Sequence, residues 1–153
     1  MSLFYRVFAS TDVMPAAAGI EACLAAPGVA VGARFDEDDG GWYRSELTLG
    51  GGAPLVLERW LADEEGIRAE LRSWAAYLET LDYSPNAAAL MEKAIQARQL
   101  FTLRRPIDHP NEALLERACQ ALCQHLAKET GGFYQADDRG FFAADGGVLV
   151  QEY

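Results

Sequence analysis

Between residues 29 and 61 two runs that alternate between the two faces of a strand, and a third run from Leu55 to Leu61, are separated by glycine-rich turns. A period of two puts one set of side chains on each face of a strand, so this stretch is committed to antiparallel strands. Val29, Val31, Ala33 and Phe35 alternate with Ala30, Gly32 and Arg34. Asp36-Glu37-Asp38-Asp39-Gly40-Gly41 turns the chain, its glycines supplying positive φ and its acids resisting side-by-side pairing in a ladder. Trp42 to Leu49 returns with Tyr43, Ser45, Leu47 and Leu49 on one face and Trp42, Arg44, Glu46 and Thr48 on the other. Gly50-Gly51-Gly52 turns again, and Pro54 opens Leu55 to Leu61.

The flanking segments complete an α+β reading. Leu3 to Ala9 is a first strand, followed by Ser10-Thr11-Asp12 as N-cap candidates and a short helix through Ile20, Cys23 and Leu24 that Pro27-Gly28 ends. Asp63 is positioned to cap a helix in which Ile67, Leu71, Trp74, Leu78 and Leu81 recur at steps of four and three, an amphipathic stripe. Ser84-Pro85 restarts a helix with Leu90, Met91, Ala94 and Ile95 inward. After a short strand at Leu100 to Leu103, Asn111 caps a last helix with Leu115, Ala118, Cys119, Leu122 and Leu126 on its core side and Gly131 at its end. Phe133 to Ala136, Arg139 to Phe142 and Val148 to Val150 form a terminal meander. The expected architecture is an antiparallel sheet with a ferredoxin-like β-α-β-β-β opening, central helices on one sheet face, and a C-terminal helix with a small meander. One globular domain spans 1–153, with lobes 1–82 and 83–153 sharing a core and a seam at Asp82-Tyr83-Ser84-Pro85.

A formal charge of −10 argues against nucleic acid, which is bound through clustered Lys and Arg, and against an anionic membrane surface. It suits a basic protein partner. No run of about 18 apolar residues is present to span a bilayer. The start lacks a basic segment followed by an apolar one, and Cys23, Cys119 and Cys123 are an odd set without a disulfide framework. A cytoplasmic, reducing location is expected.

No motif carries chemistry. Counted from Asp36, an EF-hand loop would need an oxygen ligand at its fifth position and Glu at its twelfth, where Gly40 and Leu47 stand. Cys119 and Cys123 belong to a buried helical stripe, and His125 lies about 200° round that helix from Cys123, so no zinc set converges. His109 is a helix-entry residue. The glycine clusters join strands to strands and do not lead into a helix N-terminus as a phosphate cradle must. No catalytic residue, metal ligand or cofactor is expected.

The feature that stands out is a polar sheet face gathering Arg34, Trp42, Arg44 and Glu46, which Arg6, Glu58 and Trp60 join in one register. Arg and Trp are enriched at interface hot spots, so Arg34, Trp42, Arg44, Glu46 and Glu58 are the candidate binding residues, with Val31, Phe35, Tyr43 and Leu47 facing the core. In size and acidity the chain resembles bacterial immunity or antitoxin-type partner proteins, an analogy that no motif carries. Three readings follow. The first is a non-catalytic protein-binding module of adaptor or immunity type that takes a basic partner. The second is a small enzyme or ligand carrier using Glu46 and Glu58 between the lobes. The third is a homodimer that pairs an exposed strand edge with its twin.

Overall fold

The computed structural model describes residues 2–153. Its elements in chain order are β1 (Phe4–Ala9), α1 (Ala17–Leu24), β2 (Val31–Asp38), β3 (Gly41–Leu49), β4 (Leu55–Leu61), α2 (Ile67–Glu79), α3 (Ala87–Gln96), β5 (Gln99–Arg104), α4 (Glu112–Thr130), β6 (Phe133–Ala136), β7 (Gly140–Phe142) and β8 (Val148–Gln151). All eight strands join one antiparallel sheet in the order β2-β3-β4-β5-β1-β6-β7-β8. The α+β class and antiparallel sheet are as the alternation predicts. Their arrangement differs from the ferredoxin-like opening, because β1 lies mid-sheet and α1 carries the chain to the far edge strand. The turn at Asp82–Pro85 separates α2 from α3, and β5 from beyond it inserts between β4 and β1.

Strand alternation divides the core in two. Tyr5, Val7, Leu47, Leu57, Phe101 and Leu103 pack against α1 and α4, whose stripe presents Leu115, Cys119, Leu122 and Leu126. Phe8, Leu100, Phe133, Phe141 and Val150 pack on the opposite face against α2 and α3. Phe8 stacks on Phe133 at 4.8 Å between ring centroids, a cross-strand pair on that face.

The helix ends show where local chemistry and tertiary structure compete. Asn111 caps α4, its Oδ1 accepting from the Leu114 N–H at 3.1 Å, and Gly131 closes it in the left-handed region. Asp63 does not cap α2; the chain enters that helix through Gly66 at φ 83°. α3 begins after Asn86, two residues beyond Ser84-Pro85. The hydroxyls of Ser10 and Thr11 do not cap α1 but donate to the Thr130 carbonyl, joining β1's exit to the end of α4. Ile95, placed inward by periodicity, is exposed.

The largest departure is a bulge in β3. Asp36 pairs with Arg44 and Glu37 with Trp42, leaving Tyr43 as the extra residue. One additional residue reverses the side-chain alternation beyond it. Trp42 therefore turns into the α1 side of the core, where its Nε1 donates to the Pro15 carbonyl at 2.7 Å, and Tyr43 faces out. Gly41, at φ 102°, begins the strand where a side chain would meet Met14. Buried Arg59 holds the bulge: its Nη1 donates to the carbonyls of Gly40 and Trp42 at 3.2 Å, and its Nε to Gln99 Oε1 at 2.9 Å. Gln99 in turn donates to the carbonyls of Thr11 and Val13.

A second polar linkage runs under α4. The Arg105 guanidinium, fully enclosed, donates to Glu112 and, at 2.9 Å, to Glu116 Oε2, while Arg139 pairs with the other oxygen of Glu116. Burial pushes the Glu116 carboxyl up, but the neighbouring Arg139 and Arg105 outweigh it and hold it below the ordinary Glu value.

Two expectations follow from this packing. Trp42→Ala should cost about 3–5 kcal/mol in chemical denaturation, the range for deleting a buried aromatic, whereas Tyr43→Ala should stay within about 0.5 kcal/mol; equal effects would remove the bulge. Because the native pKa of Glu116 lies below its unfolded value, its contribution is complete above about pH 4.3 and is lost as pH falls through the native pKa. Glu116→Gln should therefore lower stability at neutral pH by about 1–3 kcal/mol and flatten the acid limb of a stability-pH curve. An acid limb as steep as the unmodified protein's would show that Glu116 carries none of it.

Candidate functional site

The sheet face that carries α2 and α3 is divided lengthwise. Its apolar part holds Trp60, Leu100, Phe8, Phe133 and Phe141 under the helices. Its other part is a polar band that crosses the sheet beside them. Register places Arg34 opposite Glu46, Asp36 opposite Arg44, Arg44 opposite Glu58, Glu58 opposite Thr102, Thr102 opposite Arg6, and Arg6 opposite Gln135. Opposite charges alternate along it: Arg44 Nη1 lies 3.4 Å from Glu46 and 3.9 Å from Asp36, and Arg34 lies 3.3 Å from Asp36.

Of the residues singled out from the sequence, Arg34, Arg44, Glu46 and Glu58 share this band, and Arg6 and Trp60 lie on the same face. Trp42 does not: the bulge buries it on the opposite side. Tyr43, assigned to the core, is exposed, and Val31 and Phe35 are only half-buried because β2 is an edge strand. Glu46 and Glu58 are diagonal neighbours that flank Arg44, Glu46 standing opposite Val56 and Glu58 opposite Arg44. A hollow of about 290 Å³ beside the band is lined by Glu46, Arg44 and Arg104 but does not include Glu58.

The band ends at a second, larger hollow. Where it meets α2, a cleft of about 410 Å³ lies between the helix and the β6–β8 meander. Trp74 and Tyr77, one turn apart on α2, provide an aromatic wall with their rings edge to face at 5.8 Å. Four carboxylates surround it: Glu70 from α2, Asp137 and Asp138 from the β6–β7 turn, and Glu152 after β8. Facing them is the guanidinium of Arg6, centred 4.8 Å from the Trp74 ring and bonded to Asp137 Oδ1 at 2.7 Å and Gln135 Oε1 at 3.0 Å. Trp74 Nε1 donates to Glu70 Oε1 at 3.1 Å, fixing the indole. Asp138 takes a left-handed backbone, φ 66°, which Asp tolerates better than most residues. Burial, then the Glu152 carboxylate beside it, pushes the Tyr77 phenol up. Glu152 Oε1 itself is sealed from solvent without a hydrogen-bond partner.

Chemically, the cleft combines π faces and negative charge. That set attracts a cation and offers it hydrogen-bond acceptors, and the volume is in the range of small-ligand pockets. Periodicity places Trp74 and Leu78 on one helical stripe, and Asp137 and Asp138 fall between two strands of the terminal meander. Their meeting was not legible because the contributors lie in segments as far apart as 70–77 and 152. A signal was present in Glu70, Trp74 and Tyr77 at steps of four and three, which place them on one helix face.

Elsewhere the polar motifs do local structural tasks. Asp38 and Asp145 accept from the N–H groups of Gly40 and Gly147 at 2.8 and 2.9 Å, closing their turns. His109 Nδ1 accepts from the Asn111 N–H, and its Nε2 meets the Leu49 carbonyl at 3.0 Å, tying the α4 entry to β3. Cys119 and Cys123 are buried in the core, and burial raises the Cys119 thiol to about 12 and the half-buried Cys23 thiol to about 11, keeping both protonated near neutrality. Among the described residues, no helix is long and apolar enough to cross a membrane. The chain matches no protein-family model, no curated protein and no solved structure.

Proposed function

We propose that this chain is a non-catalytic binding module that docks a basic partner protein, seating a cationic side chain of that partner in the cleft between α2 and the terminal meander. One observation carries the reading: four carboxylates and two aromatic rings converge there against the single guanidinium of Arg6. Arg6 serves as an internal template, since it shows a guanidinium lying on Trp74 with a carboxylate at its edge. A cation over an aromatic face contributes about 0.5–2 kcal/mol, more as water is excluded, and carboxylates add charge-assisted hydrogen bonds. The acidic chain as a whole would draw such a partner in from a distance. Arg44, Glu46 and Glu58, on the band leading to the cleft, would meet the partner's flanking residues. Three free cysteines suit a cytoplasmic setting for this exchange.

The test is a titration with an arginine-bearing peptide, read by calorimetry and tryptophan fluorescence. Binding is expected at low salt, with a loss of affinity at about 1 M salt, where the screening length falls to about 3 Å. Glu152→Gln and Asp138→Asn should each weaken it by about three- to tenfold, the scale of about 1 kcal/mol per lost charge contact, while an acidic peptide of equal length stays unbound. Equal affinity for the basic and acidic peptides, or no binding at low salt, would overturn the proposal.

A further inference from the structure

The two edges of the sheet are treated differently. At β8 the outward carbonyls are occupied: Tyr83 donates its hydroxyl to Gln151 O at 2.8 Å, and Ser84 and Asn86 donate to Leu149 O at 3.3 and 2.8 Å. The α2–α3 turn thus covers that edge against further pairing. At β2, no side chain of the described residues is hydrogen-bonded to the outer backbone, and the core-side residues Val31, Ala33 and Phe35 are only half-buried.

Backbone direction fixes what such an edge can accept. Ala30 O accepts from Gly50 N at 2.8 Å, so Ala30 points its polar groups inward to β3. Alternation then aims Gly32, Arg34 and Asp36 inward, and Val31, Ala33, Phe35 and Glu37 present their N–H and C=O groups outward. A strand adding here must pair with those four.

We infer that the occupant is a second copy of this chain, with β2 pairing antiparallel to its twin about a two-fold axis at Phe35. Self-complementarity selects this register. A two-fold axis at Arg34 sets two guanidinium groups opposite each other, and one at Asp36 sets two carboxylates opposite each other; like charges in that position repel. An axis at Ala33 leaves Arg34 facing Gly32 and forms no charge pair. An axis at Phe35 sets Arg34 opposite Asp36 twice over, on the sheet face where both already lie, and brings the two Phe35 rings together on the other. Glu37 then faces Ala33 and Asp38 faces Gly32, so no carboxylate opposes another. The contact is isologous and closed, as a two-fold interface must be. It lies at the sheet edge away from the α2 cleft and stands independently of what that cleft binds.

Sedimentation equilibrium tests this directly. The full chain should be a dimer, and Arg34→Asp and Asp36→Arg should each be monomeric, since each sets like charges opposite in this register. Mixed in equal amounts, the two single variants should form a heterodimer, because each then supplies the charge the other lacks; the doubly reversed chain should dimerise again. Hydrogen exchange gives a reading that needs no variant: the Ala33, Phe35 and Glu37 amides should be protected at high concentration and lose protection on dilution. A chain monomeric up to about 1 mM, near the weakest specific association, would overturn the inference. So would a dimer indifferent to both reversals, or no concentration-dependent protection at those three amides.

Discussion

The structure depends on the double ladder of β1. Six residues, Phe4 to Ala9, pair with β5 along one side, and Tyr5 to Phe8 pair with β6 along the other. The first strand of the chain thereby joins the four strands β2 to β5 to the terminal meander. Its side chains supply both cores, Tyr5, Val7 and Ala9 to the α4 face and Phe8 to the α2 face. Backbone pairing of this kind cannot close until residues far apart in sequence have met, so much of the sheet's order is non-local. Anything that weakens β1 separates the halves.

Arg6 is the polar residue that this central strand places on the α2 face, and its position accounts for the division of that face. Beyond Phe8 toward β4 the surface is apolar and covered by helices; from Arg6 outward it is charged and left open. A charged side chain in mid-sheet is tolerable only when its charge is answered, and Asp137, Gln135 and the Trp74 ring answer it. The same groups form the cleft wall. The groups that satisfy Arg6 are therefore the groups through which we propose that a further cation is held.

Regular alternation made most of the strands legible, and periodicity made α2 and α4 legible, because those patterns follow from local geometry. Bulges and caps do not. The alternation through Trp42 and Tyr43 reads as continuous, and only the Gly40-Gly41 pair hints that a bulge intervenes; what enforces it is Arg59, from the next strand, and Pro15, from a distant loop. Asp63 is a good cap by composition, but the chain reaches α2 through a left-handed Gly66 instead. On the band, Arg34, Arg44 and Glu46 could be assigned to a common face since β2 and β3 alternate in phase there, and the register of β4 adds Glu58. The cleft could not, since its walls come from α2, a turn and the chain's last residues.

The placement of basic residues sharpens the chain's charge. Arg59 and Arg105 are buried, and Arg6 is largely enclosed, each committed to internal carbonyls or carboxylates. Burial lowers the Arg59 pKa against the opposing pull of the Glu64 and Asp38 carboxylates. Carboxylates such as Asp138 and Glu70 stand exposed at the surface. The outward field is therefore set by the acids, and it is strongest where several converge on one concavity. Charge and shape are thus concentrated at the same place, which is the physical basis for reading the cleft as a recognition site and the rest of the acidic surface as its approach.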